Sequence, residues 1–327
     1  MNIPQISNLE INYITKDVLL VHQIKTPYYF SCCDGIVILP RKERNKQAIA
    51  LDLNIEPNLI DEIDQVYGPF SNYVCTHAHM DHMAHVYHWE DLGVKIYAPI
   101  PENTYLLDLD NFYQGFRFYE GIDHSIIEKF AKYNKYQPCK VVNPFKPGDN
   151  LNFENLTIET ISFSGHSRGH TGFLLPHEKI LHISCLGFDI PILGKDGFGP
   201  WYGFSECSIA KYLEDINLAE KIFLQRTEFL TSSHSYIIKH PDTTPFTYMR
   251  RKIKDNQTKV DQALSTLKIS SKEEINMDEL LNMDIFFPKS KLQGFIVDLY
   301  RFWESYIIDK HLKRSIYFQK DSLSNTS

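Results

Sequence analysis

No stretch of this 327-residue sequence approaches the roughly 18 consecutive apolar residues that a membrane-spanning helix needs. Its first residues, MNIPQISNLEINYITKD, lack the basic start and apolar run of a secretory leader, so a cytoplasmic protein with no membrane partner is the expectation. Cysteine is scarce. The six residues (Cys32, Cys33, Cys75, Cys139, Cys185 and Cys207) are irregularly spaced with no CxxC pair, which excludes a disulfide scaffold and fits a reducing compartment. There is no basic excess either: 34 Lys and Arg against 41 Asp and Glu leave a net charge of −7. Up to position 240 there are 20 basic and 29 acidic residues (net −9), and beyond it 14 and 12 (net +2). A body this acidic argues against nucleic acid as a partner. Internal repeats and low-complexity tracts are also absent, which excludes solenoids and arrays. The remaining balance, 43% hydrophobic and 23% charged, suits one α/β domain of about 200–250 residues with an appendage. That length buries a full core without cross-links.

Histidine is what the chain has in quantity: 14 residues, with His77, His79, His82, His85 and His88 inside 12 positions. The first 55 residues read as strands, in the β-rich runs EINYITKDVLLVHQI, YYFSCCDGIVILPRK and QAIALDLNI. PNLIDEIDQVYG has apolar residues at helical spacing and a glycine stop, which predicts a helix. A strand (SNYVCTH), a helix (DHMAHVYHWEDLG) and a strand (VKIYAPI) follow. Residues 101–140, rich in Tyr and Phe, read as a mostly helical insert. Strands resume with LNFENLTIETISF, TGFLLP and EKILHISC; KYLEDINLAEKIF is helical, and RTEFLTSSHS runs from strand into loop. After about Pro245 only helices are predicted. The expected organisation is a body over 1–245 and a helical extension over 246–327.

The densest chemistry lies in THAHMDHMAH. Side chains alternate along an extended segment, so His77 and His79 point to the same side. Asp81 and His82 then fall at a helix start, where aspartate is also a good cap. Three imidazoles and a carboxylate within six residues, at the end of an apolar strand, match nitrogen and oxygen metal-ligand chemistry.

HxHxDH after βββ-helix-β resembles the metallo-β-lactamase superfamily, which includes glyoxalase II, lactonases and tRNA-processing ribonucleases. The resemblance covers about residues 10–240 and implies a four-layer αββα sandwich with further ligands at strand ends. In ISFSGHSRGHTGF it points to His166 as a ligand and to His170 as a support for the loop or the substrate. Ser164 stands where a proline is usual. The bridging carboxylate expected after the strand EKILHISC is missing, and Ser184-Cys185 stand in its place. Either Cys185 supplies a thiolate or Asp189 swings in as the carboxylate. In RTEFLTSSHSYII it points to His234, with Ser232, Ser233 and Ser235 as hydrogen-bond donors around it. By resemblance, His77, His79 and His166 hold one metal, and Asp81, His82, His234 and Cys185 (or Asp189) hold the second.

The remaining features carry less. His85 and His88 share a helix face with His82 and read as supporting or surface groups. The turn FGPWYG would present Trp201 and Tyr202 near the metals, Tyr202 as a substrate contact. The aromatic insert is a lid, a dimer face or simply part of the core. Arg250, Arg251, Lys252 and Lys254 read as a solvated helix face, and Phe295, Leu299, Trp303 and Tyr306 as a packing stripe against the body or a second subunit. The function implied by the resemblance is a metallo-hydrolase of a small-molecule ester-like bond (thioester, lactone, amide or phosphodiester). It would use hydroxide activated by two divalent ions, with Asp81 orienting the water. A cysteine ligand favours zinc, whereas Asp189 would favour iron or manganese. The alternatives are a nuclease of the same superfamily, or an iron-binding redox or binding protein on the same fold.

Overall fold

Alternation in the strands decides the layers. In the computed structural model, which describes residues 6–27, 30–41, 46–187, 200–234, 236–288 and 292–315, two mixed sheets lie face to face. The first has seven strands in chain order: β1 (Leu9–Thr15), β2 (Val18–Gln23), β3 (Gly35–Ile38), β4 (Ala48–Leu51), β5 (Phe70–Val74), β6 (Lys95–Pro99) and β7 (Asn143–Phe145). β1 to β4 pair antiparallel, and β4 to β7 pair parallel. The second sheet has six: β8 (Asn150–Phe153), β9 (Leu156–Ser162), β10 (Thr171–Leu175), β11 (Ile180–His182), β12 (Phe229–Thr231) and β13 (Ile237–Lys239), with β11 and β12 parallel. Both faces of the inner strands are buried, so they read as continuous apolar runs. Ile36 and Ile38 of β3 and Ile49 and Leu51 of β4 meet Phe173 and Leu175 of β10 and Ile180 of β11 in the core between the sheets. Their neighbours Val37, Ala48 and Ala50, with Leu174 and Leu181, turn outward to the helices.

Parallel pairing needs crossovers, and the helices supply them. α1 (Pro57–Tyr67) joins β4 to β5 and buries Leu59, Ile60 and Ile63. The single helix expected over DHMAHVYHWEDLG is instead two short ones, α2 (Met80–Met83) and α3 (Val86–Asp91), broken at Ala84–His85. The insert folds as α4 (Leu109–Gly115) and α5 (His124–Tyr133) with single 3₁₀ turns at Glu102–Thr104 and Phe118–Glu120. α6 (Ile209–Arg226) covers the second sheet. The tail is helical as the sequence predicts: α7 (Thr244–Thr266), α8 (Met277–Asn282) and α9 (Phe295–Leu312). Phe246, Met249 and Ile253 of α7 and Leu299, Phe302 and Trp303 of α9 join the main core, while Val260, Leu264, Leu280, Ile308 and Leu312 make a smaller one. The predicted stripe on α9 is therefore turned onto the body. No helix among the described residues is long and apolar enough to cross a membrane.

Candidate metal centre

The candidate ligands gather at one edge of the sandwich because each follows a strand. His77 and His79 lie between β5 and α2, Asp81 and His82 in α2, and His166 between β9 and β10. Cys185 sits in a 3₁₀ turn (Ser184–Leu186) after β11, and His234 follows β12. Gly165 lets the His166 loop approach α6: a β-carbon there would collide with the Tyr212 backbone.

The first cluster is three ring nitrogens. His77 Nε2 lies 3.0 Å from His79 Nδ1, and His166 Nε2 lies 3.2 and 3.1 Å from the two. Zinc–imidazole bonds at tetrahedral angles place ligand nitrogens about 3.3 Å apart, so these separations fit one ion. The tautomers fit as well. His166 Nδ1 donates to the Trp201 carbonyl at 2.9 Å, leaving the Nε2 lone pair bare toward the cluster. Burial, then the neighbouring imidazoles, push His77, His79 and His166 far below the ordinary histidine range, so all three present neutral rings. The three nitrogens converge on one point, where a single cation could be held by all of them.

The second cluster is Asp81, His82, Cys185 and His234, whose ligating atoms all lie within 4.8 Å of one another. Cys185 Sγ is 2.9 Å from His82 Nε2 and 3.1 Å from His234 Nε2, and Asp81 Oδ2 is 3.5 Å from His82 Nε2. Burial pushes the Cys185 thiol up to about 12, with His82 pulling the other way, so a cation is what would make it a thiolate. Asp189 lies outside the described residues; Cys185 is the group found in the cluster.

Two carboxylates that the sequence reading passed over organise these ligands. Asp52, at the end of β4 with φ of 57°, is fully buried. Its Oδ2 accepts from His82 Nδ1 (3.0 Å), Ser233 Oγ (2.7 Å) and Ser184 Oγ (3.1 Å), and its Oδ1 accepts from Thr76 N (3.1 Å). Ser184 Oγ in turn lies 2.8 Å from Thr76 Oγ1, which is 3.0 Å from His77 Nδ1. One carboxylate thus orients a ring in each cluster, His82 directly and His77 through two hydroxyls. Burial alone would raise Asp52, but His82 and His182 outweigh it and hold it far below the carboxylate range. An aspartate inside the apolar run AIALDLNI was the only signal of its role.

The second is Glu102, also fully buried, in the 3₁₀ turn that opens the insert. Its Oε2 accepts from Ala78 N at 2.7 Å and its Oε1 from Gly169 N at 2.6 Å. It therefore ties the His77–His79 segment to the loop of His166. A β-carbon at Gly169 would press on Glu102 at 3.0 Å, which suits glycine there. Glu102→Ala strands two buried N–H groups and is expected to lower unfolding stability by about 3–5 kcal/mol in urea titrations. An unchanged midpoint would contradict this tie.

The two substrate-side candidates do not reach open space. His170 is fully buried, its Nδ1 donating to the Phe163 carbonyl at 3.1 Å. Tyr202 is fully buried between α7 and α9: Asn256 Nδ2 donates to its hydroxyl, and His311 Nε2 lies on that hydroxyl, both at 2.9 Å. Burial lowers His311 to about 3, so the ring stays neutral and accepts. The adjacent Trp201 is the aromatic that faces the cavity. His85 is buried, and His88 pairs with Asp61 at 2.8 Å toward the surface. Ser233 bonds Asp52, Ser232 Oγ accepts from His234 N at 3.1 Å, and Ser235 lies outside the described residues.

A cavity of about 160 Å³ opens on both clusters, with His79, Asp81, His166, Cys185 and His234 at its polar end. No protein-family model matches the chain, and no curated protein matches its sequence. Solved structures do match. A metallo-beta-lactamase family protein from Thermus thermophilus superposes with a TM-score of 0.65 at 14% identity, over 92% of this chain and 94% of that one. The fold is that of the metallo-β-lactamases. A beta-lactamase domain protein from Burkholderia ambifaria (TM-score 0.64, 12% identity) covers 93% of this chain and 89% of its own. A metallo-beta-lactamase from Pontibacter korlensis (TM-score 0.50, 16% identity) covers 73% and 96%. Residues 246–327 are a quarter of the chain, so coverage above nine-tenths must include most of the helical tail.

On this metallo-β-lactamase fold the tail reaches the site. Lys310 Nζ of α9 donates to the Phe204 carbonyl at 2.5 Å, and His311 holds Tyr202, so α9 grips the loop whose Trp201 carbonyl orients His166. Cys207 Sγ adds a bond to the His166 carbonyl at 2.8 Å. Beside this loop, burial, reinforced by the charge of Glu102, raises Glu206 to about 7 from an ordinary 4.5. A carboxyl raised on folding adds stability that is complete below about pH 4.5 and lost as pH rises through about 7. In metal-free protein, Glu206→Gln is therefore expected to match the native chain near pH 4 and to exceed it at pH 8. The gain is at most about 3 kcal/mol, read from urea midpoints. Equal midpoints at pH 8 would refute it.

Proposed function

We propose that the protein is a metal-dependent hydrolase of an ester-like bond. His77, His79 and His166 would hold one divalent ion, and Asp81, His82, Cys185 and His234 a second. The observation that carries this reading is two adjoining sets of ligand atoms, His77, His79 and His166 in one and Asp81, His82, Cys185 and His234 in the other, both opening on one cavity. Nitrogen and thiolate donors favour zinc over manganese or iron. Bound divalent ions supply a nucleophilic water ionised near neutral pH and polarisation of the substrate oxygen.

The chain's own residues do the rest. Asp81 is the sole carboxylate lining the cavity among the described residues, and it is placed to accept a proton from the attacking water and to aim it. Asp52 fixes His82 Nδ1 as a donor directly, and His77 through Ser184 and Thr76, so that both Nε2 atoms face the ligand clusters. The aromatic walls exclude bulk water from the reacting bond. The nuclease alternative finds no Lys or Arg on the cavity wall among the described residues.

Elemental analysis of protein purified without chelator, beside Cys185→Ser, tests the reading. About two zinc per chain, falling to about one in the variant, is the expected result. Iron that ignores the substitution would move the assignment to redox chemistry, and no metal would overturn the hydrolase.

A further inference from the structure

Resting on the hydrolase reading, we propose that the substrate offers this site an uncharged, apolar acyl or aryl group about the size of one phenyl ring. The cavity that begins at the ligand clusters ends in aromatic carbon. Phe112, Phe118 and Phe130 come from the insert, Trp201 and Phe204 from the loop after residue 199, and Trp303 from α9. Five of these (Phe112, Phe118, Phe130, Phe204 and Trp303) are at most 4% exposed, so the wall is a fixed part of the core. Its rings lock edge to face, Trp201 on Trp303 at 5.4 Å and Phe118 on Phe204 at 5.6 Å.

Two physical limits select the ligand. A volume of about 160 Å³ matches apolar cavities of about 150 Å³ that bind benzene, and falls well short of the roughly 300 Å³ or more that drug-sized ligands occupy. A nucleotide or a coenzyme carrier would therefore stay outside, with only an acyl or aryl group entering. Moreover, a carboxylate or phosphate lodged against this wall would meet no Lys or Arg among the described lining residues. Burying an unpaired charge costs enough to discriminate by at least about 100-fold. The acyl group can arrive as a simple ester or as a thioester whose carrier remains in solvent.

Trp201 and Trp303 provide a readout that does not depend on turnover. Titration of the chelator-treated chain with 4-phenyl-2-butanone is expected to change tryptophan emission saturably, whereas its para-carboxylate analogue should bind at least about 100-fold more weakly. Trp201→Phe and Phe118→Leu, which keep an apolar wall, should shift the affinity for the neutral ketone several-fold. With metal present, methyl 3-phenylpropanoate and the matching N-acetylcysteamine thioester should each be cleaved at least about 100-fold faster than para-carboxylated counterparts, and their ratio tells which carrier is used. Equal binding of neutral and carboxylated ketones, or none by either, would overturn the proposal even if two zinc ions are found. Selective binding of the neutral ketone to a chain that takes up no metal would uphold the pocket and sink the hydrolase.

Discussion

Asp52→Asn is expected to weaken the second metal site by about 10–100-fold, measured by competition with a chromophoric chelator. The substitution preserves shape, so the effect isolates the role of the charge. In the native chain the Asp52 carboxylate can only accept, and His82 must carry its proton on Nδ1. An asparagine NH₂ facing Nδ1 would donate instead and drive the proton to Nε2, the atom that faces Cys185 and Asp81. The same residue reaches His77 through Ser184 and Thr76, so the first site should weaken too, by a smaller factor. Ser233→Ala, which removes one of several donors to Asp52, should cost less than either. Unchanged affinity in Asp52→Asn would show that the ring orientations are held by packing alone.

Alanine at Asp81 or at His234 is expected to bring metal content from about two to about one per chain and to lower kcat/KM by at least about 10²–10³-fold. Both side chains lie on the cavity wall and neither residue is fully buried, so the variants should fold. In the proposed mechanism Asp81 also accepts a proton from the attacking water, and a difference between the two variants measures that role. If His234→Ala retains more activity than Asp81→Ala at equal metal content, the excess belongs to the proton-accepting role. Full activity in either variant with metal retained would remove that residue from the second site.

Much of this site was legible in the residues themselves. HxHxDH places four candidate ligands by local geometry alone, because strand alternation and a helix start leave their side chains few directions. The apolar runs marked β3, β4, β10 and β11 as strands, and the structure buries them on both faces, as a run without alternation requires. The exceptions share one cause. DHMAHVYHWEDLG has helical periodicity throughout, yet the chain breaks at Ala84–His85, where Asn54 Oδ1 accepts from His85 N at 2.8 Å and Asn54 Nδ2 donates to the Asp81 carbonyl at 2.5 Å. A contact from 31 residues away overrides the local preference. Tyr202 and Trp201 are equivalent on a turn in sequence. Asn256 and His311 draw the first into the core and leave the second at the cavity.

Residue chemistry and short-range periodicity picked out His77, His79, Asp81 and His82 as candidate ligands, and the family resemblance pointed to His166, Cys185 or Asp189, and His234 at later strand ends. Packing in three dimensions had to show that Asp52 and Glu102 unite the ligand segments, and that α9 grips the loop orienting His166. It also had to show that insert and tail close one aromatic cavity over the ligands. The contacts of Glu102 and Asp52 reach across separations that run from 24 to 181 positions. Separations of that size leave no periodic trace in the chain; the packing of the two sheets and their helices is what brings them together.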